Sequence, residues 1–272
     1  MTLSRRDVNQ LLATYGLAPS RALGQNFVVD PNTVRRIARL AGVGPGDRVV
    51  EIGAGLGSLS LALLETGAKL TAVEVDRGLV PVLRSVIEPA GATVVEAYAM
   101  RLDWSDLLGD DGWVLVANLP YNVATPLVVD LLERVPQVER MLVMVQAEVG
   151  DRLVAEPGDA AFGAVSVVVA YWAEAGLAGR VPASVFVPRP KVESALVAIT
   201  RRPVPAVDPA LVGYARLKAV VRAGFGQRRK MLRRALDGVV DPRAYAAAGI
   251  RPEARAEELS VADWGRLAAW TP

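Results

Sequence analysis

The sequence predicts an α/β protein: a doubly wound, mainly parallel sheet followed by a small all-helical domain. Three observations carry this. Helix-like and strand-like segments alternate from residue 31 to residue 172. An apolar strand runs straight into Gly53-Ala54-Gly55-Leu56-Gly57, and a helix follows it. Beyond Arg201-Arg202-Pro203-Val204-Pro205 the pattern is helical only. Alternating β and α segments imply parallel strands joined by crossover helices. The expected domains are therefore 1–200 and 201–272.

Arg6 to Tyr15 predicts a short helix, with a loop through Pro19. Leu23-Gly24-Gln25-Asn26-Phe27-Val28 is too short and mixed for a strand of a sheet. Asp30-Pro31 offers an N-cap and a first-turn proline. Val34, Ile37 and Leu40 then share a helix face up to about Ala41. Strands are predicted at Arg48–Ile52, Lys69–Val75, Thr93–Ala97, Trp113–Ala117 and Met141–Gln146. Helices are predicted between and after them at 58–65, 77–87, 124–134, 148–155 and 163–172. Two extended segments follow, Ala173–Val181 and Ser194–Thr200. The run between them holds Pro188 and Pro190, which force a stiff path. The tail predicts helices at 208–223, 227–236, 242–248 and 261–270.

The chain has 272 residues and no cysteine or histidine. Disulfides, thiolate metal sites, cysteine nucleophiles and histidine bases are thereby excluded, and no metal is expected. No apolar run approaches the ~20 residues of a membrane span. The first residues, with Arg5, Arg6 and Asp7, lack the apolar centre of a signal peptide. A cytoplasmic protein is the expectation. Net charge is only +2, but residues 216–234 carry eight basic side chains and no acidic one. Such runs are usually solvated faces; a one-signed run on a small helical domain suits phosphates better.

Asn118-Leu119-Pro120-Tyr121 follows the apolar run Trp113–Ala117. Asn118 offers an amide oxygen as acceptor, and Leu119 before Pro120 favours extended backbone. Tyr121 adds a flat face. Acceptors beside an aromatic plane suit a planar ligand with an amino group; a proline turn with a core tyrosine is an equal reading of these four residues alone. The glycine loop is spaced Gly-x-Gly-x-Gly, and Glu74 lies 21 residues after Gly53. In nucleotide-binding α/β folds an acid at about that distance accepts from ribose hydroxyls. A P-loop lysine is missing, which argues against NTPase chemistry. A dehydrogenase usually needs a proton donor that a chain without histidine lacks. The Asn118 turn and the basic tail favour S-adenosylmethionine as cofactor and nucleic acid as substrate. Without cysteine, an exocyclic amine is the natural methyl acceptor.

The chain resembles the KsgA/RsmA small-subunit rRNA adenine dimethyltransferases over nearly its whole length. The matching runs are Leu23–Phe27, Glu51–Gly57, Glu74, Asn118–Asn122, Phe186–Val192, Phe225–Lys230 and Arg255–Ser260. The last two look like the tail of the small-subunit enzymes, not that of the large-subunit enzymes conferring macrolide resistance. The resemblance implies a Rossmann-like class I methyltransferase that dimethylates N6 of two adjacent adenosines near the 3′ end of 16S rRNA. It implies that Asn26, Val28, Gly53, Gly55, Glu74 and Asn118 line the S-adenosylmethionine site. It also implies that Asn118 and the Leu119 carbonyl, in the turn with Pro120, hold the target amine, and that Tyr121 and Phe186 sandwich the adenine. The RNA-binding candidates are Arg222, Arg228, Arg229, Lys230, Arg233 and Arg234. A 16S rRNA partner within the immature small subunit and a monomeric state are expected. One departure stands out: the family usually has an Asp after strand three that accepts from the cofactor's adenine amine, and here Tyr98 stands in its place. A competing expectation is an assembly factor that binds the immature small subunit and methylates weakly or not at all.

Overall fold

The computed structural model describes residues 2–110 and 112–270. In chain order the helices are α1 (Arg5–Thr14), α2 (Pro31–Ala41), α3 (Ser58–Leu64), α4 (Val80–Ile87), α5 (Trp104–Leu108), α6 (Ala124–Arg134), α7 (Ala147–Val154), α8 (Ala164–Trp172), α9 (Tyr214–Gly226), α10 (Leu232–Ala235), α11 (Arg243–Ala248) and α12 (Val261–Ala269). The strands are β1 (Phe27–Val28), β2 (Arg48–Ile52), β3 (Lys69–Glu74), β4 (Thr93–Glu96), β5 (Trp113–Asn118), β6 (Val138–Gln146), β7 (Ala173–Val181), β8 (Phe186–Val187) and β9 (Ser194–Arg201). The chain divides into two compact units, Met1–Gly150 with Gly176–Thr200, and Asp151–Ala175 with Arg201–Pro272.

The first unit is built on a sheet of order β4-β3-β2-β5-β6-β9-β7. The pairs β4–β3, β3–β2, β2–β5 and β5–β6 are parallel, and β6–β9 is antiparallel. The sheet is therefore mainly parallel, as the alternation predicts. Val49, Val50, Leu115 and Val116 in its centre are fully buried, which explains their near-continuous apolar runs. Helix α2 is capped by Asp30, whose side chain accepts from the Thr33 amide at 2.8 Å. Its buried face is Val34, Ile37, Ala38 and Ala41, while Leu40 is exposed. At 3.6 residues per turn the i, i+3, i+4, i+7 set forms one stripe, and Leu40 falls off it.

The short stretch at Phe27-Val28 does form a strand, contrary to expectation. It pairs antiparallel with β8, Phe27 opposite Val187 and Val28 opposite Phe186. This two-stranded sheet and α1 rest on a separate apolar cluster containing Val8, Leu12, Phe27, Leu56 and Val82. The cluster fixes the N-terminal segment against the glycine loop.

The second unit has its own core. Trp264 is fully buried, with Phe225 at 5.8 Å between ring centroids. Tyr171 of α8 stacks on Tyr214 at 4.7 Å. Phe162, Val167 and Tyr171 belong to this core, so residues 151–175 group with the C-terminal unit, not with residues 1–150. The break expected at residue 200 is thus crossed by one returning segment. Helix α8, Ala-Val-Ser-Val-Val-Val-Ala-Tyr-Trp, is apolar on nearly all sides, the signature of a helix buried in a core. Its Ser166 hydroxyl is satisfied by donating to the Arg152 carbonyl at 2.6 Å. In the tail, residues 208–213 and 227–231 form turns instead of helix; α9 starts at Tyr214 and α10 is confined to Leu232–Ala235.

Candidate active site

The five parallel strands β4, β3, β2, β5 and β6 end on one side of the sheet, where ligands of open α/β folds bind. From β2 the chain enters the glycine loop. Gly53, Gly55 and Gly57 have φ of 73°, 59° and 89°, a region that side chains strongly disfavour. A Cβ at Gly57 would meet Ile87 Cγ2 at 2.8 Å, so α3 packs on α4 only with glycine there. β3 delivers Glu74, the turn after β4 delivers Tyr98, and β5 delivers Asn118 to Tyr121.

Glu74 is 5% exposed and organises the edge. One carboxylate oxygen accepts from the Gly55 amide at 2.8 Å; the other accepts from the Val75 and Asp76 amides, each at 2.9 Å. Burial raises its pKa, and those three amides oppose the rise. Each oxygen carries two lone pairs, so acceptor capacity remains for ribose hydroxyls. Glu51, at 2% exposed, lies beside the same loop and accepts from the Ser60 hydroxyl at 2.5 Å. Burial pushes its carboxyl up to about 8, with Ser60 opposing and the Glu74 charge adding.

Asn118 Nδ2 donates to the Asn26 carbonyl at 3.0 Å. The amide is thereby oriented, with its oxygen left as the acceptor. Asn26 Nδ2 in turn donates to the Gly24 carbonyl at 3.1 Å. Gly24 has φ of 65°, and a Cβ there would lie 3.0 Å from Asn122 Oδ1 and 3.2 Å from Pro120 Cβ. The Leu23–Val28 segment thus reaches the Asn118 turn only because residue 24 lacks a side chain. The Leu119 amide donates to the Met144 carbonyl at 3.0 Å, anchoring the turn to β6. The Tyr121 hydroxyl is 2.7 Å from Ser194 Oγ. Burial raises the Tyr121 phenol above its ordinary pKa, with the Ser194 bond opposing; the ring is pinned and stays neutral.

Asn26, Val28, Gly53, Gly55, Glu74, Asn118, Leu119, Pro120 and Tyr121 line one cavity, together with Glu51 and Ser58. A second cavity of about 300 Å³ adjoins it, sharing Leu23, Gly53, Val75 and Pro120. Tyr98, 44% exposed, lines this second cavity among mostly apolar neighbours. Asp103 is not among them, and its side chain caps α5 by accepting from the Asp106 amide at 3.1 Å. Phe186 is 1% exposed and packed in the sheet core with Val28, Val181 and Leu196; it pairs opposite Val28 in the β1–β8 sheet and is not among the residues that line either cavity. Tyr121 and Phe27 are the aromatic residues that line the cavity with Asn118.

The basic candidates all lie in the second unit. Arg228 is 2.7 Å from Glu257 and also donates to the Ala160 carbonyl at 2.8 Å. Arg233 pairs with Glu253 at 3.1 Å. Arg222, Arg229, Lys230 and Arg234 are exposed.

A family model described as ribosomal RNA adenine dimethylase matches residues 19–271. The chain belongs to the ribosomal RNA adenine dimethylase family. It is 48% identical to a protein of Kineococcus radiotolerans named ribosomal RNA small subunit methyltransferase A, over 99% of this chain and 92% of the relative. A Thermobifida fusca protein of the same name is 47% identical, over 99% and 96%. Among solved structures, the 23S rRNA methyltransferase ErmE is similar with a TM-score of 0.71 and 25% identity, covering 89% of this chain and 98% of that one. A dimethyladenosine transferase from Plasmodium falciparum has a TM-score of 0.72 at 22% identity, over 88% and 94%; it shows the shared fold.

Membership in this family brings S-adenosylmethionine as cofactor, and the residues present fit it. The cavity supplies acceptors at Glu74, Glu51 and Asn118 and a glycine cradle, and beside them the buried Ser58 hydroxyl has no partner among the described residues. Glu51, Ser58 and Ser194 are site residues that sequence reasoning left out. The signal for Glu51 is a carboxyl in the otherwise apolar strand Val49-Val50-Glu51-Ile52, which demands a reason for burial. No comparable signal marks Ser58 or Ser194.

Proposed function

We propose that this chain transfers methyl groups from S-adenosylmethionine to N6 amines of adenosines in small-subunit rRNA. The cofactor, when bound, supplies an electrophilic methyl group on a sulfonium centre. Asn26, Val28, Gly53, Gly55 and Glu74 hold it, with Glu74 accepting from the ribose. Asn118 Oδ1 and the Leu119 carbonyl accept from the two N–H bonds of the target amine. That pulls the nitrogen toward pyramidal geometry and aims its lone pair. Positioning of this kind can supply much of a barrier reduction when reacting atoms sit about 3–3.5 Å apart. No base is required, because the alkylated nitrogen is acidic and sheds its proton to water. Tyr121, pinned by Ser194, stacks on the unstacked base and offsets part of its extrusion, roughly 1–3 kcal/mol per base. The substrate is two adjacent adenosines near the 3′ end of 16S rRNA in the immature small subunit, met by a monomer through Arg222, Arg229, Lys230 and Arg234.

The observation that carries this is the Asn118 amide, locked by the Asn26 carbonyl at 3.0 Å with its oxygen free to accept. Family membership and this geometry favour the enzyme over a non-methylating assembly factor, whose only support is Tyr98. The test is Asn118→Ala assayed on small-subunit particles lacking the modification. Methyl transfer should fall to background while cofactor affinity stays within a few-fold. A variant with near-normal turnover would sink the role.

A further inference from the structure

We propose that Gln25 is a positioning residue for methyl transfer. Its carboxamide clasps the Leu23–Val28 segment to the end of β3 and so holds in place the carbonyl that orients Asn118. Gln25 is partly buried at the cavity, and both ends of its carboxamide are engaged within the protein. Oε1 accepts from the Ser20 amide at 2.7 Å, and Nε2 donates to Asp76 Oδ2 at 2.6 Å. The Gln25 backbone amide also donates to the Ser20 carbonyl at 3.1 Å. One residue therefore closes its own turn, from Ser20 to Gln25, and fastens that turn to β3. Its side chain acts through other residues of the site.

Each end of the clasp leads to such a residue. Asn26 follows Gln25, and its carbonyl accepts from Asn118 Nδ2 at 3.0 Å. That bond gives the Asn118 oxygen its direction, so the aim of the acceptor depends on where residues 25 and 26 are held. On the other side, the Asp76 amide donates to the Glu74 carboxylate at 2.9 Å, and Asp76 Oδ1 accepts from the Gly78 amide at 2.9 Å. Asp76 is thereby fixed beside the carboxylate assigned to the cofactor ribose. Between α1 and β1 the chain has no helix or strand, so its position at the site is set by turn and side-chain bonds. The bond from Gln25 has a charged acceptor, which makes it one of the stronger kind. A small displacement of a positioned group can cost a large factor in rate. This role rests on the methyl-transfer reading above and adds to it a residue that need touch neither donor nor acceptor of the methyl group.

The test exchanges donor and acceptor across the Gln25–Asp76 bond. Gln25→Glu keeps an acceptor for the Ser20 amide but sets a carboxylate against Asp76. Asp76→Asn keeps an oxygen for the Gly78 amide but sets an amide NH2 against Gln25 Nε2. In the double variant the bond is remade with its direction reversed. Methyl transfer to unmodified small-subunit particles is measured at saturating S-adenosylmethionine for wild type, both single variants and the double variant. In each single variant kcat per folded protein should fall about tenfold or more, the size expected for losing a hydrogen bond to a charged group. It should return to within a few-fold of wild type in the double variant, while KM for the particles stays within a few-fold throughout. Single variants with near-normal kcat, a double variant no better than the singles, or activity losses that only match losses of folded protein would each overturn the proposal. A wild type that transfers no methyl group would overturn the methyl-transfer reading itself, and the role of Gln25 with it.

Discussion

Asn118 uses both ends of one amide: the nitrogen is spent on the Asn26 carbonyl, so the oxygen has a defined direction. Tyr98 is the opposite case, a side chain in the adjoining cavity with no carboxylate beside it. An adenine amine is a donor, and a carboxylate offers two acceptor oxygens close to the backbone. Tyr98→Asp should therefore tighten S-adenosylmethionine binding by up to about tenfold, since such a bond is worth about 1.5–3 kcal/mol before desolvation. Calorimetry on both proteins at one salt concentration decides it. Equal or weaker binding would make Tyr98 an adapted stacking contact. Glu51 carries a stability signature. Its folded pKa of about 8 lies above its ordinary value of 4.5. Between those values the native chain keeps a proton that the unfolded chain has released, so stability falls as pH rises through the window. Glu51→Gln removes that proton from the balance. Melting temperatures taken at about pH 5 and about pH 8 should differ less in the variant than in wild type. Curves that shift in parallel would show that Glu51 ionises without cost.

At the scale of elements, the features that could be read from the chain are those with local causes. The strands β2, β3, β4 and β5 are legible because each is a run rich in β-branched and apolar residues bounded by polar or glycine turns; β2, β3 and β5 are mostly buried, while in the edge strand β4 Val94 is the buried residue. Helix α2 announced its own start through Asp30 and Pro31. β1 was not legible. Two residues carry no period, and Phe27-Val28 becomes a strand only because Phe186-Val187, far along the chain, pairs with it. The same distant pairing hides Phe186 in the core, which its motif alone could not reveal. Ser58 and Ser194 escaped for a related reason: a serine becomes informative only once its surroundings are known, a missing partner in one case and Tyr121 in the other. The tail helices are shorter than the sequence predicts, although Gln227-Arg228-Arg229-Lys230 has good helix formers. Tertiary packing overrides that preference: the Leu232 amide bonds the Ala254 carbonyl at 2.8 Å, and Arg228 reaches Glu257 and Ala160.

On the scale of the whole molecule, the two units divide the charge unevenly, and this bears on RNA. The run from Arg216 to Arg234 carries eight basic side chains, but they are not equivalent. Arg228 and Arg233 are paired with Glu257 and Glu253. Their charge is partly offset, and Arg228 also holds a backbone carbonyl, so its first contribution is to the packing of its own unit. Arg229 and Lys230 are exposed on the turn between α9 and α10, and phosphates are the natural partners for such a pair. Each phosphate contact releases condensed counterions, which contributes about 0.7–0.9 to the slope of log affinity against log salt. Replacing Arg229 and Lys230 with alanine should weaken binding to small-subunit particles and flatten that slope by roughly 1.4–1.8 if both touch phosphate. Arg228→Ala should instead lower the melting temperature, with a smaller change in slope. An unchanged slope in the Arg229, Lys230 double variant would make the exposed run a solvated face and move the search for the RNA contact elsewhere on the molecule.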